Sequence, residues 1–187
     1  MRAYLLAVGL MVVVTAPASA GINRHETINI DGTDHGFHYD SAIPARRRNA
    51  VKESFRRAMA AYAPAFAVPN LEVHLYFENR AAADPTLLAQ AGFIAESSPG
   101  KLGCNVTIYK HRELRNDGAL KFTLAHEMVH CFMHASRSDL RGVTAALNAT
   151  TDPNAWWVEG SAEYLASTLY PPVGNPIRTT IAEFSSI

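Results

Sequence analysis

The residue types and spacing that could carry out chemistry are concentrated in one segment, His126-Glu127-Met128-Val129-His130. It lies within a helix that apolar residues at four-residue spacing predict from Leu120 to Ala135. Residues four apart lie on one helix face, about 6 Å from each other, so two imidazoles there could bind a single metal ion. Glu127, one position round from His126, could act as general base toward a metal-bound water without being a ligand.

A catalytic metal usually has three protein ligands and one open position, so a third ligand must come from elsewhere in the chain. Glu159 and Glu163 lie four apart in a segment that is apolar enough to predict a partly buried helix. Buried acids are costly unless they are paired. We therefore predict Glu159 as the third ligand and Glu163 as the acceptor for the outer nitrogen of His126. The alternative is that both glutamates lie on a solvated face.

Taken together, these two segments resemble the gluzincin metallopeptidases. The resemblance rests on His-Glu-Met-Val-His followed by Trp-x-x-Glu-Gly-x-Ala-Glu-Tyr, within about residues 120 to 170. It implies one Zn²⁺ held by His126, His130 and Glu159, with Glu127 as general base and Glu163 behind the ligands. It further implies a zincin-like α+β fold, in which a small mixed sheet packs on the active-site helix and on a second, glutamate-bearing helix.

The resemblance also leaves roles to assign. It implies a strand that pairs with the substrate backbone, and Asn105 to Tyr109 is our candidate. No Gly-x-Met-Glu-Asn segment is present, which disfavours the aminopeptidase branch. The transition-state hydrogen-bond donor is unassigned, with Tyr164 and Tyr170 as candidates beside Tyr109 and His134.

The other histidines are expected to have ordinary roles. His134 extends the stripe of His126 and His130, but eight residues of helix rise about 12 Å, so His126 and His134 cannot share one ion. We interpret His134 as a residue that lines the cleft or as a polar residue whose hydrogen bonds are satisfied. Ordinary surface or core positions are predicted for the scattered remainder: His25, His35, His38, His74 and His111.

Composition restricts the class of protein. The chain has 187 residues, of which 48% are hydrophobic, as is typical of one packed domain. Its formal net charge of +0 gives no electrostatic reason to expect nucleic acid or an acidic membrane as a partner. The basic residues between 46 and 57 are expected to be solvated.

The beginning of the chain predicts export. Arg2 supplies positive charge, Tyr4 to Thr15 is apolar, and Ala18-Ser19-Ala20 offers the small residues of a cleavage site. We predict a signal peptide over residues 1–20 and a single zincin-like metallopeptidase domain over 21–187, secreted or periplasmic. The alternative, a membrane anchor, is disfavoured because a spanning helix needs roughly 20 apolar residues. No stable membrane insertion is expected after cleavage.

Export affects the interpretation of the two cysteines. Cys104 and Cys131 would reach an oxidising compartment, where a single disulfide is predicted. Two buried free thiols are the alternative. Within the family resemblance, such a bridge would join the start of the substrate-pairing strand to the catalytic helix.

Hydrophobic periodicity predicts strands first and two strong helices last, an α+β order. The predicted elements are a hairpin around Asp31-Gly32, a helix after Pro44, a strand from Leu71 to Phe77, a short helix from Asp84 to Ala91, strands over Gly92–Ala95 and Asn105–Tyr109, a helix that follows Asp117-Gly118 and runs from Leu120 to about Ala135, a helix from Asp152 to Leu169, and an irregular tail.

The predicted function is that of an exported zinc metallopeptidase acting on a peptide or protein substrate. Two alternatives stay open. One is a non-catalytic exported binding protein that keeps the zinc for structure. The other is a zinc hydrolase of a non-peptide amide, such as one in the cell wall.

Overall fold

The computed structural model describes residues 21–98, 101–110, 112–136 and 155–171. Within these ranges the chain forms five strands, three α-helices and a short 3-10 helix. In chain order they are β1 (Arg24–Ile30), β2 (Thr33–Tyr39), α1 (Ala45–Ala65), β3 (Glu72–Phe77), β4 (Ala89–Ser98), β5 (Lys101–Ile108), the 3-10 helix Glu113–Arg115, α2 (Asp117–Ser136) and α3 (Ala155–Leu169). The α+β class is confirmed.

The strands form one mixed sheet in the order β1-β2-β3-β5-β4. β2, β3 and β5 run parallel, whereas β1 pairs antiparallel with β2 and β4 antiparallel with β5. Among the described strands, β1 and β4 are therefore the two edges.

The candidate for the substrate-pairing strand, Asn105 to Tyr109, was wrong. β5 lies inside the sheet, with β3 on one side and β4 on the other, so its backbone groups are used within the protein. β4 and β5 form a hairpin, and the second strand of this hairpin is the one placed next to β3. β4, the first strand of the hairpin, is therefore left at the edge of the sheet.

One face of the sheet is covered by α1 and α2. The side chains that β3 directs to this face are buried, as its alternation predicts, with Val73, Leu75 and Phe77 no more than 2% exposed. α1 begins directly after Pro44, as expected, and buries a face that includes Phe55, whose ring meets the His35 ring edge-on at 5.0 Å. The sheet and the two helices therefore share one apolar core.

The β1–β2 hairpin turns through the predicted dipeptide. Asp31 has φ 49° and Gly32 has φ 80°. Positive φ at both central residues is the geometry of a type I′ turn, whose twist matches that of the flanking strands. Glycine enters this region without strain, and aspartate tolerates it better than most residues.

The short helix predicted from Asp84 to Ala91 was also wrong. The Asp84 carboxylate accepts hydrogen bonds from the backbone N–H and the hydroxyl of Thr86, at 2.8 and 2.7 Å. Such a turn gives the backbone an alternative to helical hydrogen bonds. Ala89 already pairs with Ile108 as the first residue of β4.

Several predictions lie outside the described residues. These are the signal peptide over 1–20, the Asp152-Pro153 helix start, His111 and the tail after residue 171. Among the helices that the structure describes, none is both long and apolar enough to cross a bilayer.

Cys104 and Cys131 form the predicted disulfide, which joins β5 to α2. The bond closes a loop with a sequence separation of 27 residues. A loop of this length contributes about 3–4 kcal/mol in the chain-entropy account. The double variant Cys104→Ala/Cys131→Ala should lose stability of this order in urea denaturation, as should the reduced wild-type protein. An unchanged denaturation midpoint in both would contradict the expectation.

Acid should destabilise the fold through His35. Burial lowers the pKa of His35 from 6.5 to about 4, against the opposing effect of nearby Glu72, which raises it. The unfolded chain therefore takes up this proton between pH 6.5 and 4 while the folded chain does not. The contribution of neutral His35 to the free energy of unfolding is fully present above pH 6.5. It falls by about 3 kcal/mol as the pH drops to 4.

The measurement is urea denaturation at a series of pH values with chelator present. The imidazole Nδ1 of His35 accepts the backbone N–H of Val73 at 3.2 Å, and the amide oxygen of glutamine could replace that acceptor. His35→Gln should therefore flatten the dependence of stability on pH between 6.5 and 4 relative to wild type. Identical slopes in the two proteins would contradict the assignment to His35.

Candidate metal centre

Three side chains from two helices converge between α2 and α3. Nε2 of His126 lies 3.1 Å from Nε2 of His130 and 3.1 Å from Oε2 of Glu159. Nε2 of His130 lies 3.5 Å from Oε1 of Glu159. The four-residue spacing on α2 sets the first distance. The structure therefore brings together the three residues predicted as ligands, and within its described part they form a group able to hold a metal ion.

Packing of the two helices positions the acid. α2 buries an apolar face that includes Leu124 and Met128, both 0% exposed, and this leaves its histidines on the flank toward α3. α3 contributes Ala162 and Ala166, also 0% exposed. Alanine at these buried positions allows the helix backbones to approach closely. Glu159 lies three residues before Ala162, on the same side of α3, and is thereby turned toward α2.

The three ligand atoms fit a metal ion of zinc's size. Bonds of about 2.0–2.1 Å at a tetrahedral angle place neighbouring ligand atoms about 3.3–3.4 Å apart. The distances of 3.1, 3.1 and 3.5 Å bracket that value. Two imidazole nitrogens with one carboxylate form a donor set suited to zinc, and three protein ligands leave a coordination position open.

Glu163 lies on the outer side of the His126 ring, away from His130 and Glu159. Its Oε2 is 3.5 Å from Nδ1 of His126, the ring nitrogen directed away from the other two ligands. Burial by itself would lower the pKa of His126, but hydrogen bonds to Glu159 and Glu163 and the nearby Glu127 raise it to about 9. Hydrogen bonds from His126 and His130 hold the pKa of Glu159 well below its usual range.

Glu127 occupies a buried position between the ligands and the sheet edge. It is 9% exposed, and burial raises its pKa against the opposing effect of His126 and His130. The backbone N–H of Ala91 on β4 donates a hydrogen bond to its carboxylate. This contact places the edge strand beside the candidate metal centre. No sequence pattern marked Ala91, because the contact depends on which strand ends at the edge.

The two tyrosines predicted as transition-state donors lie on or just after α3. Tyr164 follows Glu163 and is 63% exposed. Tyr170 has the Arg57 guanidinium 4.9 Å from its ring centroid, and its hydroxyl is buried without a hydrogen-bond partner in the described part of the chain. Tyr170 is thus packed toward α1, whereas the side chain of Tyr164 is largely exposed to solvent. The donor assignment stays a prediction.

The remaining two donor candidates lie in different places. Burial raises the pKa of Tyr109, and so does the negative charge of Glu78. The Tyr109 ring therefore lies near Glu78, the residue that follows β3. The ring of His134 is 6.0 Å from that of Phe93 on β4. His134 thus lies next to the edge strand β4. Burial lowers the pKa of His134, as does nearby His130.

Comparison of the chain with protein-family models, with curated proteins and with solved structures found no match.

Proposed function

We propose that this protein is an exported zinc metallopeptidase with a zincin-like fold. The observation that carries the proposal is the position of Glu127. Its buried carboxylate lies beside a group of two histidines and a glutamate, and it also contacts the backbone of the edge strand β4. A base, a candidate metal centre and an exposed strand edge thereby meet in one place.

The proposed chemistry assigns one task to each residue. Zinc, when held by His126, His130 and Glu159, would polarise the scissile carbonyl and lower the pKa of water. Glu127 accepts the proton of the attacking water and then passes it to the leaving amine. Glu163 orients His126 through the outer ring nitrogen. Burial of Glu127 suits this role, because a raised carboxyl pKa strengthens the base.

The edge strand supports a peptide as the substrate. Tyr109 N–H donates to the Leu88 carbonyl at 3.0 Å, and by alternation Gln90 and Gly92 also bond toward β5. Ala89, Ala91 and Phe93 then direct their backbone groups outward. The Ala91 N–H already donates to Glu127, so this edge would offer a peptide in extended conformation the Ala91 carbonyl and the outward groups of Ala89 and Phe93. We therefore assign the substrate-pairing role to β4.

Export is supported by the cysteines and by the predicted signal peptide over 1–20. Disulfides persist in secreted and periplasmic proteins and are rare in the reducing cytosol. The Cys104–Cys131 bond is consistent with that environment.

The deciding experiment pairs metal analysis with peptide cleavage. The purified protein should contain one zinc ion at this centre, and it should cleave members of a peptide library in a reaction that a chelator stops and zinc restores. Peptides N-methylated near the scissile bond should be poor substrates if backbone pairing with β4 is used. A protein that contains the zinc but cleaves no peptide would overturn the peptidase proposal.

Substrate comparison separates the alternatives. Release of amide products from peptidoglycan, without cleavage of peptides, would indicate a zinc hydrolase of a non-peptide bond. Bound zinc without hydrolysis of either substrate would indicate a non-catalytic binding protein.

A further inference from the structure

The sheet gathers three histidines on the face opposite α1 and α2. We name the group formed by His25, His38 and His74, with the carboxylate of Glu72, the sheet-face cluster. His25 pairs with His38 across β1 and β2, and His74 on β3 pairs with Gly36, two residues before His38. The strand register alone therefore brings together side chains that are far apart in the sequence.

We propose that the sheet-face cluster is a second metal site, which binds a divalent transition ion through Nε2 of His38 and Nδ1 of His74. These two nitrogens are 3.4 Å apart. Two nitrogen ligands at about 2.0–2.1 Å from a tetrahedral ion are separated by about 3.3–3.4 Å. Imidazole is a ligand preferred by zinc, copper and nickel ions. Water would complete the coordination, because the His74 side chain is 27% exposed.

The outer nitrogens of both rings already have partners. Nε2 of His74 lies 3.0 Å from Oε1 of Glu72, and a carboxylate can only accept, so this nitrogen carries the proton. Neutral His74 then presents a lone pair at Nδ1. Nδ1 of His38 lies 3.3 Å from Nδ1 of His25, which can accept its proton. This is the arrangement found behind metal-bound histidines, where an outer partner fixes ring and tautomer.

Gly36 keeps the space between the two nitrogens accessible. A Cβ atom at this position would lie 2.5 Å from Nδ1 of His74 and 2.7 Å from Nε2 of His38. Any other residue would push at least one ring away. The ring of His38 is also held in place by stacking on Tyr76, with centroids 4.6 Å apart and planes 8° from parallel. The pair is thus fixed before an ion arrives.

A neutral hydrogen-bond chain is the competing interpretation. In it, His25 donates to His38, His38 donates to His74, and His74 donates to Glu72. Such a chain would occupy the same nitrogens but hold no ion. Both cysteines of the protein are in the disulfide, so no thiol competes for metal, and zinc binding can be assigned to the two histidine sites. This proposal does not depend on the proposed peptidase activity.

The test is zinc stoichiometry in four proteins, measured by equilibrium dialysis with Zn²⁺ alone. They are the wild type, His38→Ala/His74→Ala, His126→Ala/His130→Ala, and the fourfold variant. We expect two equivalents in wild type, one in each double variant and none in the fourfold variant. If His126→Ala/His130→Ala binds no zinc, the second site does not exist. If His126→Ala/His130→Ala binds one equivalent of zinc and the fourfold variant binds none, the sheet-face cluster is a metal site, whatever the result for the candidate metal centre.

Three single variants and one spectrum keep the test independent of folding defects. In the His126→Ala/His130→Ala background, Glu72→Gln should weaken zinc binding about tenfold, the smaller end of the effect of losing an outer partner. Gly36→Ala should abolish binding, and Thr107→Ala, on the same sheet face, should leave it unchanged. Imidazole ¹⁵N spectra of that background should show zinc shifting Nε2 of His38 and Nδ1 of His74. Unshifted resonances at saturating zinc would establish the hydrogen-bond chain instead.

Discussion

Glu127→Gln is expected to abolish peptide hydrolysis while the protein keeps its zinc. A positioned general base contributes roughly 10²–10⁴-fold, and kcat/KM should fall by that factor. The amide cannot take a proton from water, but its oxygen can still accept the Ala91 N–H bond that the carboxylate accepts. Because burial disfavours the carboxylate charge, the neutral amide should leave the melting temperature unchanged or raise it. Steady-state kinetics, metal analysis and thermal melts measure the three quantities.

Glu53→Gln is the matched control for Glu127→Gln. Glu53 on α1 pairs at 2.7 Å with Lys121 on α2, the helix of Glu127, but the Glu53 side chain is 62% exposed and lies outside the site. This substitution should change neither zinc content nor kcat/KM. Full activity of Glu127→Gln would remove the residue from the mechanism, and loss of zinc from that variant would show that Glu127 holds the ion.

Glu159→Ala should remove the metal itself. It deletes one of three ligand atoms and leaves two histidines whose nitrogens are 3.1 Å apart. Loss of an outer partner already costs about 10–100-fold in metal affinity, so loss of a ligand should cost more than about 100-fold. Activity at limiting zinc should disappear with the ion. The zinc affinity is measured by competition against a chromophoric chelator. The sheet-face histidines are replaced in these proteins, so that the candidate metal centre is observed by itself.

Glu163→Gln tests whether Glu163 affects the metal through His126, in contrast to Glu159, which is proposed as a ligand. Glu163 lies one turn further along α3 than Glu159, and its carboxylate is 3.5 Å from the outer nitrogen of His126. Affinity should fall about 10–100-fold, less than for Glu159→Ala, and activity should return at high zinc. Equal zinc affinity in wild type and Glu159→Ala would exclude Glu159 from the site.

The interactions that the sequence predicted well are those made by residues close together in the chain. The four-residue spacing of His126 and His130 determines their separation once α2 forms. The positive φ requirement at Asp31-Gly32 makes a hairpin there, and apolar alternation gives β3 its buried face. Glu159 was predicted to meet the histidines because a buried acid needs a partner. The contact with His126 is present, but the Glu159 side chain is 62% exposed, so the cost of burial does not explain it.

The tertiary structure alone decided the features that depend on strand order and register. It placed β4 rather than β5 at the edge, and so brought Ala91 to Glu127. It also aligned His25, His38 and His74, which the sequence presented as scattered surface or core residues. Local spacing does not specify such contacts, because strand order and register minimise the free energy of the whole core. The chain therefore specifies the spacing of His126 and His130 locally, whereas the edge position of β4 and the second histidine group exist only after the sheet has formed.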